Sequence, residues 1–568
     1  KFHAQIIENQ GVGTFLRNVG KGCELIKKIF FSPVLGCSTR CDCCDTTFKA
    51  LMQQMVLQVL TSPSLTKQGL APSMYKECAN NLIGCDPNID CSNLPNSCQV
   101  APDATDSLRD MTADAGQWCV DKEKNGMFEL PANRKCVFSS VVVLVNSTND
   151  LTLTGSDTSG SSSSGGGSSL QKATLSGNWK TSLFELKGGS RLTLNNLIVE
   201  KGYNELQGGA IVVDSSHLIV KSTTIRLSIA AMQGYDGGGG GILGMSSKRN
   251  GTTIHLDKAT LERNKASRGS GLQCSKNCLI TFNSVSSIVD NTCDELHYAF
   301  DRISGCGMAI YEHSNIVVAG PNTKLMISRN GGIFGTSYTK AGAFLLQHSH
   351  FYIKDGANVI IDNNLGAGKG GGLYMTYTHN LDQEMTGCNS NSNNSNKLTE
   401  LTNVVTLTIQ DFGSKLMVSN NEACVGGGIY IDTGESHTGT CGQSTGSDWI
   451  PLLSVINVKH GGVLDVRNNR AYCDALLTKM SLEGTGGGMY IFQSTLNVRG
   501  LNTKVLLSKN HADIQGGGML VSGGLINVLD GGEIELHKNH ADTGGGLFLL
   551  QSKSLLQVKG QDSHLVVA

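Results

Sequence analysis

Short runs of alternating apolar and polar residues, each ended by Asn, Gly or Ser, fill the chain from about residue 127 onward. TLNVRG, KVLLSKN and GGGMLV follow one another, and LINVLDG, EIELHKN and GGGLFLL then repeat the order. Alternation at period two marks strands with one buried face. Three such strands per repeat, separated by turns, predict a three-sided coil. The glycine triplets that begin at Gly426, Gly486, Gly516 and Gly544 lie 60, 30 and 28 residues apart, a period of about 28–30 with one double step. One coil alone cannot bury its inward face or pair its backbone groups, so coils must stack. The pattern therefore predicts an all-β right-handed parallel β-helix over residues 127–568. At ~4.8 Å per coil, about a dozen coils make a rod on the order of 60 Å long.

Residues 1–126 have a different texture. Phe48, Leu51, Met52, Met55, Val56, Val59 and Leu60 recur at helical spacing, and Ser62-Pro63 ends the run. A second helix is expected around Leu108, Met111, Ala115 and Cys119, and FLRNVGKGCELIKKIFF suggests a third. This part reads as a small α-helical, disulfide-rich N-terminal domain. Residues 156–171 are a Ser/Gly-rich insertion without packing residues.

Within the repeat, Asn364, Asn421, Asn469, Asn510 and Asn539 share one position at the start of a turn. Stacked side-chain amides can hydrogen-bond from coil to coil, and Asn also tolerates left-handed backbone. Ala423, Ala471, Ala512 and Ala541 follow, small enough for the inside of a turn. The glycines after them provide dihedrals that larger residues resist. The resulting N-x-A-x-x-G-G-G units, as in SKNHADIQGGGMLV and HKNHADTGGGLFLL, resemble the repeat of chlamydial polymorphic outer membrane proteins. More broadly they are similar to pectin-lyase-like β-helix passengers and adhesins. The resemblance covers about residues 127–568 and implies a fold more than a function. The resemblance implies a C-terminal membrane barrel as well, and no barrel is expected within residues 1–568.

Composition narrows the setting. A net charge of −1 argues against a nucleic-acid partner or a polybasic membrane contact. No long uncharged apolar stretch predicts a transmembrane segment. The chain starts at Lys1, as expected of a processed or partial sequence, and stops at HLVVA within a strand-like run. Nineteen cysteines point to an oxidising, extracellular or cell-surface location. Cys37, Cys41, Cys43, Cys44, Cys78, Cys85, Cys91 and Cys98 are expected in disulfides, with Cys274 and Cys278, Cys388 and Cys441, and Cys424 and Cys473 as loop staples. Sequons at Asn146, Asn250 and Asn393 permit glycosylation.

The search for chemistry finds little. Polygalacturonase-type NTD, GHG and RIK signatures are absent. Asp290, Asp294, Glu295, His297 and Asp301 form the densest acidic cluster, read as a solvated loop beside Cys293 and Cys306. His511 with Asp513, repeated as His540 with Asp542, could hold a cation or respond to pH, but lacks a third ligand. Trp449, Tyr374, Tyr377 and Tyr430 could stack on sugars, with ordinary packing preferred. No catalytic, metal or cofactor site is expected, and the chain is read as no enzyme. The expected function is an extracellular structural rod that self-associates into a fibre. An adhesin or glycan-binding protein and a polysaccharide lyase or hydrolase are the alternatives.

Overall fold

The computed structural model describes residues 112–113, 122–124 and most of 127–568, the longer breaks being 157–171, 294–304, 333–341, 378–404, 434–453 and 474–483. The chain divides into two compact units, Lys1–Pro102 and Asp103–Ala568, and the described residues belong to the second. It is an all-β solenoid of stacked coils, and no helix occurs among the described residues.

Each coil contributes one strand to each of three sheets. One coil begins with Ser454–Lys459 in the first sheet and Val463–Arg467 in the second. A two-residue strand, Arg470–Ala471, follows, and Met489–Phe492 enters the third sheet. The first and second sheets each have 14 strands and the third has 12, with the short strands forming minor ladders of five and three. Pairing is parallel throughout, except at the start. There Thr112–Ala113 pairs antiparallel with the strand at Cys136, and Lys122–Lys124 with the strand at Phe128.

Side-chain alternation places like residues in register. Leu192, Leu218, Ile254, Ile280, Ile316 and Phe351 form one inward column of the first sheet, all of them buried. Aliphatic side chains stacked at coil spacing exclude water continuously, which supplies the main driving force for stacking.

A second internal column is polar. Asn264, Asn291, Asn330, Asn364, Asn421, Asn469 and Asn510 are at most 1% exposed, and Asn539 ends the series. Asn421 is representative. Its Nδ2 donates to Asn469 Oδ1 at 3.0 Å and to the Ile361 carbonyl at 3.0 Å, and its backbone N–H donates to the same Oδ1 at 3.0 Å. Each interior ladder amide, from Asn291 to Asn510, thus uses both N–H bonds and both oxygen lone pairs across three coils, which removes the cost of burying it.

The glycines complete this device. The first of each triplet has a positive φ, 63° at Gly426 and 69° at Gly486. A Cβ on the third, at Gly428, would lie 2.6 Å from the Gly488 carbonyl and 2.9 Å from the Asn469 amide. Glycine there lets the chain lie against the ladder.

Three expectations change. The left-handed residue is the one before each ladder asparagine: Asn363, Asn420, Asn468 and Lys509 have φ of 53° to 55°. The ladder position needs the amide, and the turn before it needs the dihedral. The period of 28–30 holds only late in the chain; neighbouring ladder asparagines are 27 to 57 residues apart, because insertions leave at the turns without breaking the ladder. Within the helix expected around Met111, the two described residues, Thr112–Ala113, form a strand instead, since the edge of the first coil offers unpaired backbone groups. The remainder of the expected N-terminal helical domain lies outside the described residues.

Replacing Asn469 by Ala strands the Asn421 donors and the Val418 carbonyl, and is expected to cost about 3–5 kcal/mol. Asn457→Ala, at a half-buried outer position, should cost less than about 1 kcal/mol. Denaturant midpoints compare the two. Lys509→Asn, at φ 55°, should gain about 1 kcal/mol in the same measurement.

Candidate functional site: a groove on the outer face of the first sheet

The outward positions of four successive first-sheet strands differ in character from the core columns. Arg191 is in register with His217, His217 with Thr253, and Thr253 with Leu279. One step along the strands, Ile219 is in register with His255 and His255 with Thr281. Together with Lys221 these residues line a shallow groove of about 490 Å³. Period-two alternation puts them there: in HLIVK Leu218 and Val220 turn inward while His217, Ile219 and Lys221 turn out, and in TTIHLD Ile254 and Leu256 turn inward while His255 turns out.

Both histidines are oriented by threonines of the next coil. His217 Nδ1 meets Thr253 Oγ1, and His255 Nδ1 meets Thr281 Oγ1 at 2.6 Å. Asn283 Nδ2 donates to His255 Nε2 at 3.1 Å. With Nε2 accepting, the ring carries its proton on Nδ1 and donates it to Thr281. Burial lowers the His255 pKa below the ordinary imidazole value; Asp257 pulls the other way and Lys221 adds to the lowering. His255 is thereby biased toward its neutral form, with Arg191 and Lys221 lining the same groove. His350 repeats the pairing further along, with Thr406 Oγ1 at 2.7 Å. Its pKa is also lowered, first by burial and then by His313.

The residues singled out from sequence fall elsewhere. Asp290 is clamped by Arg329 at 2.7 and 2.9 Å, which holds its carboxyl below the usual range. Asp294, Glu295, His297 and Asp301 lie outside the described residues. The rings of His511 and His540 stack at 5.1 Å, and His511 Nε2 is 3.3 Å from Asp513. Among the described residues no group of three or more His, Cys, Asp or Glu is placed to hold a metal ion. Tyr374 and Tyr430 are 2% and 4% exposed, so the sugar-stacking role considered for them is excluded by burial. With Tyr490 they form an aromatic column on the third sheet's outer face, centroids 5.2 and 5.1 Å apart. Tyr377 is buried against His348, and Trp449 lies outside the described residues.

Disulfides join Cys274 to Cys278, Cys293 to Cys306 and Cys424 to Cys473. Cys388, Cys441, the cysteines from Cys37 to Cys98 and the sequons at Asn146, Asn250 and Asn393 lie outside the described residues. Among the described residues no helix is long and apolar enough to cross a membrane.

Arg191, His217, Lys221 and His255 were not selected from sequence. The signal was present as polar residues at alternate positions of strong strands, but only the register shows that three coils bring them together.

A titration of His255 followed by NMR should give a midpoint below the ordinary imidazole value. Its folded pKa lies below that of the unfolded chain. His255 therefore contributes stability above the unfolded value, and this is lost as pH falls through the folded value. A midpoint at or above the ordinary value would contradict the burial assigned to this ring.

No family model and no curated protein matches the chain. The likeness to chlamydial polymorphic outer membrane proteins rests on the repeat units alone. Among solved structures, the chain is similar to a mannuronic acid specific polysaccharide family 6 lyase from human gut microbiota. Identity is 9%, the match covers 80% of this chain and 89% of that chain, and the TM-score is 0.24. That finding corrects the expectation of a chain without enzyme chemistry, which had rested on missing hydrolase signatures. At this TM-score the likeness assigns neither substrate nor mechanism to this chain.

Proposed function

We propose that the chain acts on an acidic polysaccharide, holding it against the outer face of the first sheet and cleaving it in the groove by β-elimination. One observation carries this reading: the basic side chains Arg191 and Lys221 line one groove with two histidines, and burial lowers the pKa of one of these, His255.

Cleavage of a uronate by β-elimination needs three groups. A cation must neutralise the carboxylate so that the adjacent C5–H becomes acidic, and the Arg191 guanidinium suits a carboxylate. A neutral base must take that proton. His255 Nε2 has the right lone pair once the polymer displaces the exposed Asn283 amide. The electron pair of C5–H then forms the C4=C5 double bond as the C4–O4 bond breaks. The departing oxygen takes a proton from the Lys221 ammonium, and solvent returns His255 and Lys221 to their starting states. No oxidant or further reactant is required. The disulfides Cys274–Cys278, Cys293–Cys306 and Cys424–Cys473 support an extracellular setting. Fibre assembly has no support among the described residues.

Incubation with polymannuronate, polyguluronate or polygalacturonate should release unsaturated uronate ends, read by their ultraviolet absorbance. His255→Gln should lower the rate by about 100-fold or more. Absence of unsaturated product from all three polymers would remove the reading. Product formation unchanged in His255→Gln would remove His255 as the base.

A further inference from the structure

Beyond the groove, the first sheet's outer face continues along the coils with a second set of polar side chains. Asn457, Asn497 and Asn527 lie in register there. Asn497 Nδ2 donates to Asn457 Oδ1 at 2.9 Å, and Asn527 Nδ2 to Asn497 Oδ1 at 2.9 Å. Unlike the buried ladder, this half-buried one leaves an N–H bond or a lone pair of each amide for an outside partner. Lys459 follows Asn457 on the same strand, two residues on at the next outward position, and forms no ion pair among the described residues. Arg499, one coil further, is paired with Asp530 at 2.8 Å.

At the adjoining turn stand the two most exposed large apolar side chains of the described residues, Phe412 at 82% and Leu501 at 65%. Each lies over a glycine of the next coil. A Cβ built on Gly461 would sit 3.5 Å from Phe412 Cδ2, and one on Gly531 would sit 2.7 Å from Leu501 Cδ2. The glycines leave room for these side chains to lie along the coil axis, on the solvent side. Leaving Phe412 in water is unfavourable by itself, and nothing in the core requires it there.

We propose that this edge is a binding track for an extended acidic polysaccharide running parallel to the solenoid axis. Phe412 and Leu501 support the apolar C–H faces of sugar rings. The Asn457–Asn497–Asn527 ladder meets hydroxyls, and Lys459 meets a uronate carboxylate. Phe412 and Leu501 are two coils apart, about 10 Å, and the amides recur at every coil, about 4.8 Å. That spacing is comparable to the advance per sugar along an extended 1,4-linked chain. Three coil steps, about 15 Å, separate the groove strand at Thr281 from the strand at Gln410. One polymer chain can therefore occupy both. The polymer's identity as a uronate rests on the function proposed above.

Binding of a long polymannuronate and of a neutral dextran of similar length to the full chain tests the track. The parent should bind the polyuronate and not the dextran. Phe412→Ala with Lys459→Glu should weaken polyuronate binding roughly tenfold or more. Phe412→Trp should preserve binding and show an indole fluorescence change on addition of polymer. Equal binding by the Ala/Glu variant, or no fluorescence change in Phe412→Trp despite binding, overturns the track. Unsaturated product is measured separately on the parent. Binding that depends on Phe412 and Lys459 without product removes β-elimination and leaves the track standing. Product from a parent whose binding ignores both residues removes the track and leaves the groove.

Discussion

A buried primary amide has two donors and two acceptor lone pairs, and inside a protein all of them must be met. In this chain, asparagines stacked coil upon coil meet them for one another, each bridging the coil before and the coil after. The arrangement works only if coils keep one spacing and one register, and if the chain opposite can approach closely. Asn at one position and Gly at another are therefore a single requirement: a Cβ on Gly488 would come within 2.8 Å of the Asn510 amide. The residue before each asparagine turns the backbone to aim the amide inward, which is why its φ stays near 54° whether it is Asn, Arg or Lys.

With the interior fixed in this way, the three outer faces are free to differ. The second sheet pairs its charges, as in Lys415 with Asp465 and Lys504 with Glu533, each at 2.7 Å. The third sheet covers its outer face with the Tyr374, Tyr430 and Tyr490 column. The first sheet keeps Arg191, Lys221 and the threonine-held histidines open to solvent in a groove. Such a division suits an elongated ligand, because a parallel solenoid repeats the same outward direction at every coil and turns a single strand position into a row.

Much of the fold was legible because its determinants are local and repeated. The apolar alternation, the GGG units and the shared asparagine position all survive in single copies such as SKNHADIQGGGMLV. Two things were hidden. Which of two neighbouring residues, Asn468 or Asn469, turns the backbone and which joins the ladder depends on inward and outward direction, and a sequence shows that poorly when both are asparagine. The groove depended on register across insertions. His217 and His255 are 38 positions apart in the numbering and Lys221 lies between them, yet they face one space only because Ile219 pairs with His255. The tyrosines that looked like sugar platforms, Tyr374 and Tyr430, are covered, whereas Phe412 and Leu501, ordinary turn residues in the sequence, stand in solvent.

The most direct measurement is an experimental structure of the chain with a bound uronate oligosaccharide. The sugar is expected on the outer face of the first sheet, its length along the solenoid axis, with a carboxylate against Arg191 and C5 next to His255 Nε2. An oligosaccharide seated on the second or third sheet, or across the axis away from these residues, would contradict the assignment of function to this face.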